Sequence, residues 1–158
     1  MLIDSSRLGA IEIPEDKLIA MERPILGFEG LTRFCLVERD EMAPFLWLQS
    51  TEETTVAFIV VNPRAFFPHY RIEVNRKEIA ELRIKRLASV ETYVIVTVND
   101  DPRDMSVNLQ GPILINTENG LAKQLVLVNS EYKVSHRILD AVERLDRAAE
   151  HKEELVGV

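Results

Sequence analysis

The sequence predicts a mainly β fold: a small β-barrel-like single domain with a short internal helix and an amphipathic C-terminal helix. Three observations lead there. Short runs rich in β-branched and aromatic residues recur between turn residues at fairly regular spacing. The 158 residues, 46% of them hydrophobic, suffice for one core without metal or disulfide support. Helical periodicity is confined to a short stretch after Asn75 and to the chain after Ile138. The boundaries that follow are a barrel domain over 1–137 and a helix and tail over 138–158.

Ala10-Ile11-Glu12-Ile13 alternates apolar and polar residues, turns at Pro14-Glu15-Asp16, and is expected to pair as a hairpin with Lys17-Leu18-Ile19-Ala20-Met21. Pro24 and the Gly27 to Gly30 break separate it from the strand Arg33–Glu38. An acidic turn through Asp40 and Glu41 leads into Phe45–Ser50, where Trp47 between two leucines reads as a core anchor. Val56–Val61 is apolar throughout, as a central strand covered on both faces would be, and Asn62-Pro63 ends it.

Phe66-Phe67-Pro68-His69-Tyr70 packs three aromatics into a segment that Pro68 keeps from being an inner strand. Two readings of it stand open: it fills the barrel mouth, or it presents an anchor to another protein. Arg71–Val74 alternates like a half-exposed strand. Asn75-Arg76-Lys77-Glu78 has capping-box spacing, and Ile79, Leu82 and Ile84 supply one face of a short helix. Thr92–Val98 carries the strongest strand signal, nearly every position being β-branched or aromatic.

Asp101-Pro102 starts a turn, Gly111-Pro112 makes a sharp break, and Ile113-Leu114-Ile115 reads as a buried strand. Glu118-Asn119-Gly120 has hairpin-turn chemistry ahead of a strand at Gln124–Val128. From Ile138, Leu139, Val142, Leu145 and Ala149 recur at helical spacing, predicting a helix to about Leu155 that either packs on the barrel or projects as a docking element.

Composition narrows function. A formal net charge of -7 argues against nucleic acid as a direct partner, since neutralising phosphates requires clustered Lys and Arg, and it fits a basic protein partner better. Cys35, alone in an apolar run, forms no intramolecular disulfide and reads as a small buried hydrophobe. The chain from Met1 to Arg7 lacks a signal-peptide pattern, and no stretch approaches the ~20 apolar residues of a membrane span. The expected setting is cytoplasmic and reducing.

Catalytic patterns are weak. His69, His136 and His151 show no zinc-ligand spacing, and read as structural or surface residues. Asp100, Asp101 and Asp104 form a carboxylate cluster without the calcium-loop pattern; turn and cap roles explain them, with Arg103 paired to a carboxylate. No serine sits in a Gly-x-Ser-x-Gly elbow and no glycine-rich phosphate loop occurs, so no enzyme activity, metal or cofactor is expected.

Seven pieces in order carry a family resemblance: Gly9–Glu12, Gly27-Phe28-Glu29-Gly30-Leu31, Trp47–Ser50, Val60-Val61-Asn62-Pro63, Phe66–Tyr70, Asp101–Asn116, and Lys123–Leu127 with Tyr132 and His136-Arg137-Ile138. On these the chain resembles the FliW family of flagellar assembly factors, from Leu2 to about Ile138. It departs at Met21, Glu22 and Pro24, where the family commonly has a Phe-Pro pair and a glycine. The resemblance implies a β-barrel-like fold and a bacterial cytoplasmic regulator. Such a factor binds the translational repressor CsrA, relieving repression of flagellin mRNA, while flagellin competes for it. A flagellin-specific chaperone without CsrA regulation is the alternative; a small metal-dependent hydrolase using Asp101 and Asp104 is a more distant one. The free protein is expected to be a monomer. Partner contacts are expected at exposed polar and aromatic positions of the motifs: Gln49, Asn62, Arg64, Phe67, Tyr70, Asp101, Arg103, Asn108 and Gln110. For Asn108 and Gln110, satisfying backbone groups at strand ends is the competing role.

Overall fold

A computed structural model describes residues 1–128 and 131–156, with side chains described through Glu150. Its centre is a closed barrel of seven strands: β3 (Leu18–Arg23), β4 (Arg33–Val37), β5 (Phe45–Ser50), β6 (Ala57–Val61), β7 (Val90–Thr97), β9 (Ile113–Asn116) and β10 (Leu121–Gln124). Sequential antiparallel pairing runs from β3 to β7. The first half of β7 then pairs with β9, β9 with β10, and β10 returns in parallel to β3, which closes the barrel and leaves those strands without a free edge. The second half of β7 carries β8 (Ser106–Val107), which in turn pairs with β11 (His136–Arg137).

Side-chain alternation sorts the apolar residues into an interior and two outer layers. Ile19, Phe34, Leu48, Val60, Tyr93, Ile113 and Ala122, one from each barrel strand, belong to a single buried cluster, the interior. Their neighbours point outward. Val61, Val94 and Leu114 join an outer cluster roofed by Tyr70, Leu82, Leu109, Leu125, Leu127 and Ile138. Cys35 and Val37 join another with Ile3 and Ile13. The expectation that strand 56–61 is covered on both faces holds at Val60 and Val61, each fully buried and in different layers.

The expected hairpin between residues 10–13 and 17–21 does not form. β2 (Gly9–Glu12) pairs instead with β1 (Leu2–Ser5), making a separate two-stranded flap over the outer face of β4 and β5. The strand expected at 71–74 does not form: Ile72 and Val74 pack on the outer cluster, and the segment joins no ladder among the described residues. The internal helix is confirmed in brief form. α1 (Arg76–Ile79) is capped by Asn75, whose side chain accepts from Glu78 N at 2.9 Å, and a following 3-10 turn ends at Arg83 in the left-handed region. Gly120, with φ +74°, closes the β9–β10 hairpin where an added Cβ would lie 2.5 Å from Leu18 O.

α2 (Ile138–Val156) starts at the expected position. Its packed face is offset from the expected stripe: Ile138 and Ala141 are buried, Val142 and Leu145 half-buried, and Ala149 is exposed. Among the residues whose side chains are described, burial ends at Leu145, and Asp146 to Glu150 are exposed.

Candidate binding groove

Where α2 leaves the barrel, it forms one wall of a groove of about 610 Å³. The opposite wall is the aromatic segment, and Leu109, Tyr132 and His136 make the floor. The segment takes its shape from Asn62, whose side chain caps a 3-10 turn at Pro63–Ala65 by accepting from Arg64 N at 3.0 Å. Phe67 N and Tyr70 N then bond to Pro63 O and Phe67 O, so Pro68 sits in a turn where its missing N–H costs nothing.

Aromatic contacts rigidify the floor. The Tyr70 and Tyr132 rings meet edge-on at 4.6 Å, and Phe67 meets His136 edge-on at 5.8 Å. Phe66 turns away to stack on Phe45 at 5.8 Å. Tyr70 O–H donates to Leu109 O at 2.7 Å, and burial, with the neighbouring Tyr132, raises its pKa further above the phenol range. His136 Nε2 accepts from Lys133 N at 2.8 Å, which requires that nitrogen to be unprotonated. Desolvation first, then the Lys133 and Arg144 charges, lower the His136 pKa, and Glu131 opposes them. Lys133 O in turn accepts from Leu109 N and Gln110 N, tying the floor to the turn at Leu109-Gln110.

Of the residues expected to face a partner, only Phe67 and Tyr70 line the groove. Tyr70 is 3% exposed, so it supports the floor and is not a surface anchor. Gln49 is a clear correction. It lies on the outer face of β5 beneath the β1–β2 flap, is fully buried, accepts from Ser5 Oγ at 2.7 Å, and donates to the carbonyls of Ser50 and Val56. It pins the flap to the barrel and cannot be an exposed contact.

Asn62 and Arg64 stand beside the groove, Arg64 Nε reaching Tyr70 O at 3.3 Å. Asn108 Oδ1 accepts from the N–H groups of Gln110 and Gly111, and Gln110 Nε2 donates to Leu127 O: the backbone-satisfying role. Asp101 caps Arg103 N and pairs with its guanidinium at 3.0 Å, hydrogen bonds that lower the Asp101 pKa. Asp104 lies 3.7 Å from Arg137. These carboxylates therefore serve the 3-10 turn at 102–104, and among the described residues no group of three His, Cys, Asp or Glu is placed to hold a metal. No helix of the described residues is long and apolar enough to cross a membrane.

Leu109, Tyr132, His136, Ala141, Arg144 and Leu145 were not singled out as site residues by the sequence. The helical spacing of Ala141 and Leu145 held a signal, but nothing local tells which loop that face meets.

These features define a small closed β-barrel protein bearing an aromatic surface groove walled by a C-terminal helix. Comparison with known proteins places it further. The model of the FliW protein family matches residues 2–138, and the chain belongs to that family. It is 39% identical over 142 residues to the flagellar assembly factor FliW of Thermoanaerobacter pseudethanolicus, covering 89% of this chain and 94% of that one. Identity to the factor of Alkaliphilus metalliredigens is 33% over 146 residues, covering 92% and 90% of the two chains. A crystal structure of the flagellar assembly factor FliW superposes with a TM-score of 0.81 at 36% identity, over 87% of this chain and 96% of that one.

Proposed function

We propose that this chain is a flagellar assembly factor that acts by binding: it captures the translational repressor CsrA, relieves repression of flagellin mRNA, and is itself sequestered by flagellin. Membership of the FliW family across residues 2–138 carries this reading. Two physical features support it. The groove presents aromatic side chains and Arg144, residue types enriched at interface cores. The net charge of -7 favours encounter with a basic RNA-binding partner.

Calorimetry with purified CsrA and flagellin tests it. Binding of both, each displacing the other, is expected, and Phe67→Ala together with Leu145→Asp should weaken at least one of the two about tenfold or more without unfolding the barrel. Flagellin binding that CsrA never affects would reduce the role to a chaperone, and absence of both interactions would refute the proposal.

A further inference from the structure

The barrel is closed, yet one stretch of extended chain beside it keeps an open edge. The regular ladder of β10 ends at Gln124, but alternate residues beyond it keep bonding on the same side: Leu125 N and Leu127 N donate to Pro112 O and Gln110 O, both at 2.8 Å, and their side chains are buried in the outer cluster. Val126 and Val128 alternate with them, 54% and 73% exposed. By the period of a strand, their N–H and C=O groups point to the edge opposite the Gln110–Pro112 segment. Neither backbone has a hydrogen-bond partner among the described residues.

The cause lies in β3. It accompanies β10 in parallel as far as Arg23 opposite Lys123, and Pro24 then lacks the N–H that would extend the ladder. The chain turns away through Ile25 to Gly27, which has φ +91°, and sends only Leu26 N back, to Gln124 Oε1 at 2.9 Å. No backbone among the described residues pairs with the outer edge of residues 125–128, and Leu26 nearby is 66% exposed.

We propose that residues 125–128 are a docking edge that takes an extended, basic segment of a partner protein as an added strand. The unpaired alternating donors and acceptors select an extended backbone over a helix, and Val126 and Val128 select apolar side chains at alternate positions. A second copy is the wrong occupant. Two chains of net charge -7 repel, whereas a basic segment is drawn to the same edge. Charge near the edge points the same way. Arg23 and Lys123, the cations nearest it in the ladder, are held at Glu81, whereas Glu22 and Glu29 are exposed and form no ion pair among the described residues.

This inference rests on the partner-binding reading above, and CsrA is the probe. Amide hydrogen exchange on the full chain should show Val126 and Val128 exchanging freely alone and protected once CsrA is added, beyond any change at Leu125 and Leu127. Val126→Pro deletes an N–H that the fold does not use, at an edge where proline is tolerated. It should keep the melting temperature and weaken CsrA binding about tenfold. CsrA binding that leaves Val126 and Val128 unprotected, or that Val126→Pro does not weaken, overturns the docking edge alone. No CsrA binding by the unaltered chain overturns the partner reading and the edge with it.

Discussion

Replacing Gln49 by Leu should damage stability and leave the partner surface alone. Gln49 is fully buried; its Oε1 accepts from Ser5 Oγ at 2.7 Å, and its Nε2 donates to Ser50 O at 2.9 Å and Val56 O at 3.1 Å, with Thr54 O at 3.3 Å. Leucine is close in volume, so the loss is polar rather than steric. One hydroxyl loses its acceptor and two amide hydrogens disappear beneath the flap, although Val56 O and Thr54 O keep the bonds from Ser50 N and Ser6 N. At about 1 kcal/mol net per bond, and more where a buried partner is left unsatisfied, the cost is roughly 3–5 kcal/mol. For a chain of this size the melting temperature falls about 2–4 °C per kcal/mol, which predicts a drop of roughly 6–20 °C. Calorimetric unfolding measures it, and Ser5→Ala introduced on top should cost about 1 kcal/mol less than in the native chain because the two share a bond. A drop below about 2 °C, well under that range, would refute the assignment. So would lost CsrA affinity with unchanged stability, since Gln49 would then be acting at a surface.

Tyr70→Phe removes the O–H donated to Leu109 O, and should lower stability by about 1–2 kcal/mol in urea unfolding while groove binding survives. Gly120→Ala forces a Cβ to 2.5 Å from Leu18 O at φ +74°. It should cost more than the roughly 1–2 kcal/mol of left-handed backbone strain alone, whereas Gly30→Ala, with open space around it, should be near neutral in the same assay. His136 predicts a pH dependence. Its folded pKa is lowered, so the unfolded chain binds more protons in the window just below its ordinary value of about 6.5, and stability rises with pH there. The His136 contribution is complete above that window and lost as pH falls through it. Urea midpoints from neutral to mildly acidic pH should fall less steeply for His136→Gln, which keeps an acceptor for Lys133 N; equal slopes would count against the protonation-sensitive bond.

Much of the barrel could be read locally. Strands β4 to β7 and β9 announce themselves by β-branched and aromatic content, because each lies against the interior and turns at a proline, acidic residue or glycine. Pairing was not local. Alternation in residues 9–12 marks a strand without marking its partner, and the true partner is a four-residue strand at Leu2–Ser5 with too little pattern to stand out. Arg71–Val74 misled for a related reason: Ile72 and Val74 alternate because one side packs on the outer cluster, while Arg71 N goes to Tyr132 Oη instead of a neighbouring strand. The site was harder still. Gln49 and Tyr70 look like polar surface residues until partners 44 and 39 positions away are in place, and the groove exists only because α2 returns to the aromatic segment.

The Asp101–Asn116 run shows why family resemblance can mark a fold more sharply than an interface. Asp101 is occupied by Arg103, Asn108 by two backbone N–H groups, and Gln110 by Leu127 O. At Gly111 an added Cβ would meet the Asn108 and Gln124 side-chain amides at 2.9 Å and push both from their places. Asn116 donates to Leu82 O and accepts from Glu118 N and Ser89 Oγ, fastening the α1 region to the β9–β10 hairpin. Apart from the solvent-exposed pairing of Asp101 with Arg103, these side chains are committed inward, where losing one strands its partner. On the proposed binding role, a partner would meet what the barrel leaves unspent: the aromatic groove under α2 and the backbone at Val126 and Val128, unpaired among the described residues. Substitutions in the motif should therefore move stability first and affinity only as a consequence, while substitutions at Phe67, Leu145 or Val126 should move affinity with the barrel intact. A motif substitution that abolished binding in a fully stable chain would reverse that division.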